Sequence, residues 1–122
     1  MKKLVGGLLL LGAFAFSNAQ TITFDKTTID YGTVKANSDG NRVFTFTNTG
    51  NKPLILSNVQ PGCGCTASEY TKEPILPGKK GEIKVHYNTA TVAPFKKTID
   101  VFSNDPANGR IVLYIQGTVV AQ

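Results

Sequence analysis

The sequence predicts an all-β, immunoglobulin-like β-sandwich of about seven strands, preceded by a cleaved signal peptide. Three observations predict it. From Gln20 onward, apolar and polar residues alternate with period two. Clusters of Gly, Asn, Asp and Pro interrupt that alternation at regular intervals. No segment of this part sustains a helical period.

Ahead of Gln20 the pattern is different. Lys2 and Lys3 form a positive start, and Leu4 to Phe16 is an apolar run too short to span a bilayer comfortably. Ser17-Asn18-Ala19 supplies the small residues a signal peptidase needs, so cleavage is expected before Gln20. A membrane anchor or a buried helix is the alternative, but polar strand-like sequence follows at once and no stop-transfer pattern appears. No cysteine stands at the cleavage point to take a lipid, and Gly117 to Gln122 shows no anchor. The expectation is a signal peptide over 1–19 and one domain over 20–122, exported to the periplasm or secreted, with no transmembrane anchor after cleavage.

The elements follow in order. Ile22 and Phe24 open a first strand; Ile29, Tyr31 and Val34 continue after it, broken by Gly32. Asn37-Ser38-Asp39-Gly40-Asn41 is a polar turn. Across Arg42 to Thr47, Phe44 and Phe46 face one way and Val43, Thr45 and Thr47 the other. After the turn Asn48-Thr49-Gly50-Asn51-Lys52-Pro53, a nearly continuous apolar run predicts a strand over Leu54 to Val59. Glu82 to Asn88 sets Ile83, Val85 and Tyr87 against Lys84, His86 and Asn88. Phe95, Ile99 and Val101 point inward from the next strand, Asp105-Pro106-Ala107-Asn108-Gly109 closes a hairpin, and Ile111, Leu113 and Ile115 line the last strand. The expected core is Phe24, Phe44, Phe46, Leu56, Ile83, Val85, Tyr87, Ile99, Val101, Leu113 and Ile115. An antibody-type domain would add an intersheet disulfide and a buried tryptophan. This chain has no tryptophan, and Thr45 and Val101 stand at its candidate central-strand positions.

Several of these segments together resemble a known bacterial family. They are Phe44-Thr45-Phe46-Thr47-Asn48-Thr49-Gly50-Asn51-Lys52-Pro53-Leu54, Cys63-Gly64-Cys65-Thr66, Pro74-Ile75-Leu76-Pro77-Gly78-Lys79-Lys80-Gly81 and Phe95-Lys96-Lys97-Thr98-Ile99. In this order they are similar to the exported proteins called domain of unknown function 1573 (DUF1573). The resemblance covers essentially all of the part after Ala19. It departs at Val92-Ala93, where a glycine often precedes the phenylalanine. The Asn-x-Gly-x-x-Pro-Leu segment is also similar to immunoglobulin-like domains of the major-sperm-protein and pilus-chaperone type, which are binding and scaffold modules. The resemblance implies a fold and leaves the activity unassigned.

Chemistry is concentrated in one place. Cys63 and Cys65 are the only cysteines, and Gly64 alone separates them. Two residues of chain span at most ~7 Å between Cα atoms, while a disulfide wants ~5.5–6 Å. The pair can bridge if the loop bends, which Gly62 and Gly64 permit. Closing so short a loop stabilises by about 1.6 kcal/mol in the chain-entropy model, so such a bridge pins one loop and does not staple the scaffold. Four readings compete. The preferred one is an intraloop disulfide formed in an oxidising compartment. The others are a soft-metal site for Cu(I) or, with more ligands, Zn(II); a thiol–disulfide exchange centre, which lacks the usual Cys-x-x-Cys arrangement; and a disulfide to a partner.

The remaining candidates are weaker. His86, the only histidine, could be a third metal ligand if its strand lies beside the cysteines, but alternation with Tyr87 points it outward. Lys79-Lys80 reads as a solvated turn. Asp30, Glu69, Glu73 and Asp105 show no spacing of paired acid–base carboxylates, and neither a Gly-x-Ser-x-Gly nucleophile motif nor a phosphate-binding glycine loop occurs. The formal charge of +5, which becomes +3 once two lysines leave with the signal peptide, is scattered, which argues against nucleic acid. The expected function is an exported, non-enzymatic binding or structural module whose partner is another envelope or extracellular protein or a surface polymer. The alternatives are Cu(I) binding or redox chemistry at Cys63 and Cys65, and a pilus-type chaperone that works through a strand edge.

Overall fold

A computed structural model describes residues 19–122. Apart from Ala19, the expected signal peptide lies outside the described residues. Eight strands follow one another: β1 (Ile22–Phe24), β2 (Thr28–Lys35), β3 (Asn41–Asn48), β4 (Leu56–Pro61), β5 (Thr66–Tyr70), β6 (Lys80–Tyr87), β7 (Pro94–Ser103) and β8 (Arg110–Val120). They form two four-stranded sheets, ordered β1-β3-β6-β5 and β2-β8-β7-β4. Neighbours run antiparallel, except that β2 lies parallel to β8.

Alternation is what builds the layers. On β6, Ile83, Val85 and Tyr87 are buried while Glu82, Lys84 and His86 are exposed. β7 buries Phe95, Ile99 and Val101, and β8 buries Leu113 and Ile115. Each such side chain, moved out of water, stabilises the fold by roughly 1.5–3 kcal/mol. Of the expected core, only Phe24 is not fully covered. It sits on the short edge strand β1, with its ring centre 5.6 Å from that of Phe46.

Two segments depart from the sequence reading. The strand expected over Leu54 to Val59 begins at Leu56 and extends to Pro61. Leu54 is fully buried but pairs with Ile75, its N–H donating to the Ile75 carbonyl at 2.9 Å and its carbonyl accepting from the Ile75 N–H at 2.7 Å. At Ile55 the chain passes to Asn104, whose side-chain oxygen accepts from the Ile55 N–H at 2.9 Å. A run of apolar residues does not reveal such a change of partner. The second departure is β5, an eighth strand in a stretch the alternation left unassigned. Thr66-Ala67-Ser68-Glu69-Tyr70 has no large apolar alternation, and pairing with β6 makes it a strand.

Two buried polar side chains close one end of the sandwich. Asn48 is fully buried at the end of β3. Its Oδ1 accepts from the N–H groups of Gly50 (2.9 Å) and Thr21 (3.3 Å), and its Nδ2 donates to the carbonyls of Lys52 (2.7 Å) and Ile75 (2.9 Å). Gly50 is required beside it, because a Cβ there would stand 2.8 Å from the backbone nitrogen of Thr21. Asp105 is buried in the β7–β8 hairpin. Its carboxylate accepts from the N–H of Ile22 at 3.0 Å, of Ala107 at 2.8 Å and of Asn108 at 3.1 Å, which fastens β1 to the hairpin.

Asn48→Ala removes four hydrogen bonds, at roughly 1–3 kcal/mol for each backbone partner that stays buried and unmet; the Ile75 carbonyl keeps its Leu54 donor. The expected loss is at least about 3 kcal/mol, read from the urea midpoint; an unchanged midpoint would refute the role. For Asp105, burial pushes the carboxyl pKa up, but the three N–H donors outweigh it and hold the group below its ordinary value of 3.8. A depressed folded pKa means stability that is complete above that ordinary value and is lost as pH falls through the lower folded one. Urea midpoints measured downward from pH 5 should therefore drop below about pH 4, and Asp105→Asn should show less of that dependence.

Candidate functional site

The cysteine loop is one of the places where the chain changes sheets. Residues 62–65 connect Pro61, at the end of β4, to Thr66, at the start of β5, and these two strands are the edges of opposite sheets. Backbone bonds tie the loop to both layers. The N–H of Gly62 donates to the Thr98 carbonyl of β7 at 2.9 Å, and the N–H of Asn88, just past β6, donates to the Cys65 carbonyl at 3.0 Å. The Thr66 N–H returns to the Cys63 carbonyl at 3.1 Å and closes the turn.

That turn brings the Cα atoms of Cys63 and Cys65 to 5.3 Å, and their sulfurs form a disulfide. The Cys65 N–H also points to Cys63 Sγ at 3.2 Å. Cys65 packs against the core while half-buried, and Gly64 is exposed. The glycines differ in role. A Cβ on Gly62 would come within 2.7 Å of Thr98 Oγ1, so Gly62 allows the close approach to β7. Gly64 stands in open space, outside the left-handed region of backbone conformation.

His86 lies on the exposed face of β6, paired with Ala67 on one side and Asn41 on the other. Its Nδ1 is 3.0 Å from Asn41 Oδ1. Among the described residues, no three of His, Cys, Asp or Glu gather as a metal site would require. In the disulfide form, Cys63 and Cys65 have no thiolate to offer Cu(I) or Zn(II). Lys79 and Lys80 stand at the far end of the sandwich, where the Asn48 N–H donates to the Lys79 carbonyl at 2.9 Å.

The alternation places Tyr87 and Phe95 inward, and with Tyr31 they form an aromatic group that underlies the loop's end of the domain. Tyr87, opposite Thr66 in the sheet, stacks on Phe95 with ring centres 3.9 Å apart, and Tyr31 meets Phe95 edge-on at 5.3 Å. The Arg42 guanidinium sits 4.0 Å from the centre of the Tyr31 ring. Burial, only partly offset by Arg42, raises the Tyr31 pKa above its ordinary value. The phenol therefore keeps its proton and donates to the Gly40 carbonyl at 2.7 Å.

Strand order and layer packing define an immunoglobulin-like β-sandwich. The chain belongs to the family described as "Protein of unknown function (DUF1573)", whose sequence profile matches residues 22–119. Among solved structures, it is similar to a protein of unknown function from Porphyromonas gingivalis W83. The TM-score is 0.74 at 15% identity over 88% of this chain, which spans 50% of that protein. It is also similar to the Vibrio cholerae VesB protease, with a TM-score of 0.66 at 11% identity, covering 92% of this chain and 34% of the protease. A third likeness is to the ASH / PapD-like domain 7 of human CEP192, with a TM-score of 0.64 at 8% identity, covering 83% of this chain and 86% of that domain. At these identities the likeness is one of fold. No curated protein matches the chain in sequence.

The loop geometry sets an expectation for the cysteines. Replacing both, Cys63→Ser with Cys65→Ser, should lower unfolding free energy by no more than about 2 kcal/mol and keep the far-ultraviolet circular dichroism of the native protein. Gly64→Ala should stay within about 0.5 kcal/mol of the native protein. Gly62→Ala displaces the Thr98 hydroxyl and should lose about 1 kcal/mol or more. Equal losses at the two glycines in denaturant titrations would refute this account.

Proposed function

We propose that the chain is an exported, non-enzymatic binding module that presents its surface to another envelope or extracellular protein or to a surface polymer. One observation carries this reading: the buried polar side chains serve the scaffold. Asn48 and Asp105 bond to backbone that closes one end of the sandwich, and Thr89 Oγ1 donates to the Ser38 carbonyl at 2.7 Å. The Asp, Glu, Lys and Arg side chains other than Asp105 sit on sheet faces and in loops, exposed or half-exposed, as suits a contact surface. Fold likeness to PapD-like domains supports the same reading by analogy. The apolar run and small residues before Gln20 support export.

Cell fractionation with N-terminal sequencing tests export: the expected product starts at Gln20 and lies outside the cytoplasm. Photo-cross-linking in intact cells, from probes placed on each sheet edge in turn, tests binding. A discrete cross-linked species from one edge is the expected result. Unprocessed protein confined to the cytoplasm, or saturable turnover of an ester, peptide, glycoside or phosphoester by the pure protein, would overturn the proposal.

A further inference from the structure

β5 borders one side of the β1-β3-β6-β5 sheet and pairs with β6 alone. Its register determines where each backbone group points. The Asn88 N–H donates to the Cys65 carbonyl at 3.0 Å and the Thr71 N–H to the Glu82 carbonyl at 3.1 Å. Odd-numbered residues therefore bond toward β6, and in an antiparallel ladder the residues between them turn the other way. Ser68 and Tyr70 direct both N–H and C=O off the sheet, where no described strand forms a ladder with them; β4 approaches only from the opposite layer, its Val59 carbonyl accepting from Ser68 Oγ at 3.4 Å.

The other three edges are guarded in the ways sheet proteins block unwanted pairing. β1 is 3 residues long. The register of β2 breaks between Asp30 and Thr33. That of β4 breaks between Leu56 and Asn58, and the strand ends on Pro61, which has no N–H. β5 keeps an unbroken register over Thr66–Tyr70 and contains no proline, glycine or lysine. Both of its ends are held, the first by the cysteine turn and the second by Thr71, whose Oγ1 accepts from the Glu82 N–H at 3.1 Å.

We propose that the β5 edge is a docking site for an extended segment of a partner polypeptide, which adds as a fifth strand and places a lysine or arginine beside Glu69. The proposal rests on the binding-module reading and names the class of its partner. Main-chain bonds to Ser68 and Tyr70 supply the attachment, as in other strand additions. Glu69 supplies the selectivity. It is exposed opposite Lys84 and forms no ion pair among the described residues. A strand on its free side sets one residue next to it, where a cation is favoured and an acid repelled. A second copy of this chain lacks that match. Two-fold antiparallel pairing centred on Thr66, Ser68 or Tyr70 sets Glu69 against Cys63, Ala67 or Thr71, none of them cationic.

The test uses 15N-labelled protein as its own cells process it. The probe is a synthetic peptide of about nine residues that alternates valine and threonine around one central lysine. A second peptide has glutamate at the centre, and a third is the lysine peptide with alternate backbone amides methylated. The lysine peptide should shift the Ser68 and Tyr70 amide resonances and slow their hydrogen exchange. The glutamate and methylated peptides should bind at least about tenfold more weakly, a difference of about 1.4 kcal/mol. Ser68→Pro removes an N–H that points away from β6, so it should keep the fold and lose at least about tenfold in affinity. Glu69→Lys leaves the backbone untouched and should reverse the preference between lysine and glutamate peptides, which decides the matter if Ser68→Pro does not fold. Shifts centred on another edge, equal binding of the methylated peptide, no peptide binding, or an edge-dependent homodimer in sedimentation would each overturn the proposal. Cross-links in cells that survive Ser68→Pro would leave the binding module standing and remove this edge from it.

Discussion

One buried amide, that of Asn48, joins parts of the chain that are far apart in sequence. Its four hydrogen bonds reach Thr21, Gly50, Lys52 and Ile75 from the end of β3. An amide has one acceptor atom and one donor atom, each able to serve two partners, so this side chain is fully used. A carboxylate at the same position would present acceptors to two carbonyls, and a leucine would remove all four bonds, leaving the Ile75 carbonyl only its Leu54 donor. The constraint then spreads outward. Gly50 must lack a side chain so that the Thr21 backbone can lie against the turn, and the Ile75 carbonyl must also receive Leu54, which places Leu54 in the core. Asp105 repeats the device a short distance away and holds β1 against the β7–β8 hairpin. The Asn-x-Gly-x-x-Pro-Leu pattern is thus the sequence trace of a hydrogen-bond hub.

With one end secured by these hubs, the opposite end is closed by other means. There the stack of Tyr87 on Phe95, the edge contact of Tyr31 and the overlying Arg42 cover the core, and the cysteine loop carries the chain from one sheet to the other. Area burial and aromatic geometry stabilise this end, with the buried Thr89 hydroxyl and Tyr31 phenol bonding to the carbonyls of Ser38 and Gly40 in the β2–β3 turn. The disulfide adds little to global stability, because a ring this small removes little freedom from the unfolded chain. Its effect is local: it fixes the turn that sets where β5 begins.

Much of this was legible in the sequence because strict alternation encodes a strand with one face in water and one in the core. β3, β6, β7 and β8 meet that condition, and Phe44, Phe46, Ile83, Val85, Ile99, Val101, Leu113 and Ile115 lie inside as the pattern requires. β5 does not meet it. Its residues are small or polar, and only the neighbouring β6 makes them a strand. The partner change at Ile55 was equally hidden, since an apolar run looks the same on either sheet. At the candidate site, spacing alone showed that Cys63 and Cys65 could bridge. That their loop joins two sheet edges depends on which strands are neighbours, a property of topology that no local pattern carries. The one hint was the absence of Gly, Pro, Asn and Asp from Thr66 to Thr71.

The small energetic effect of the disulfide and the openness of β5 are connected. A segment that must become ordered on binding loses roughly 1–2 kcal/mol of backbone entropy per residue, and that loss subtracts directly from affinity. β5 is already extended, because its odd-numbered residues bond to β6 and its two ends are tied at Cys63–Cys65 and Thr71. Edge strands ordinarily fray from their ends, where each residue is held by one ladder on one side only. A cross-link between the sheets at the start of the strand would restrain its layers, whereas this cross-link within the turn restrains the strand's own first residue. Folding gains little from such a pin, and an edge that takes a partner strand, as proposed for β5, would gain more. The same two cysteines can therefore be nearly neutral for stability and still matter for recognition.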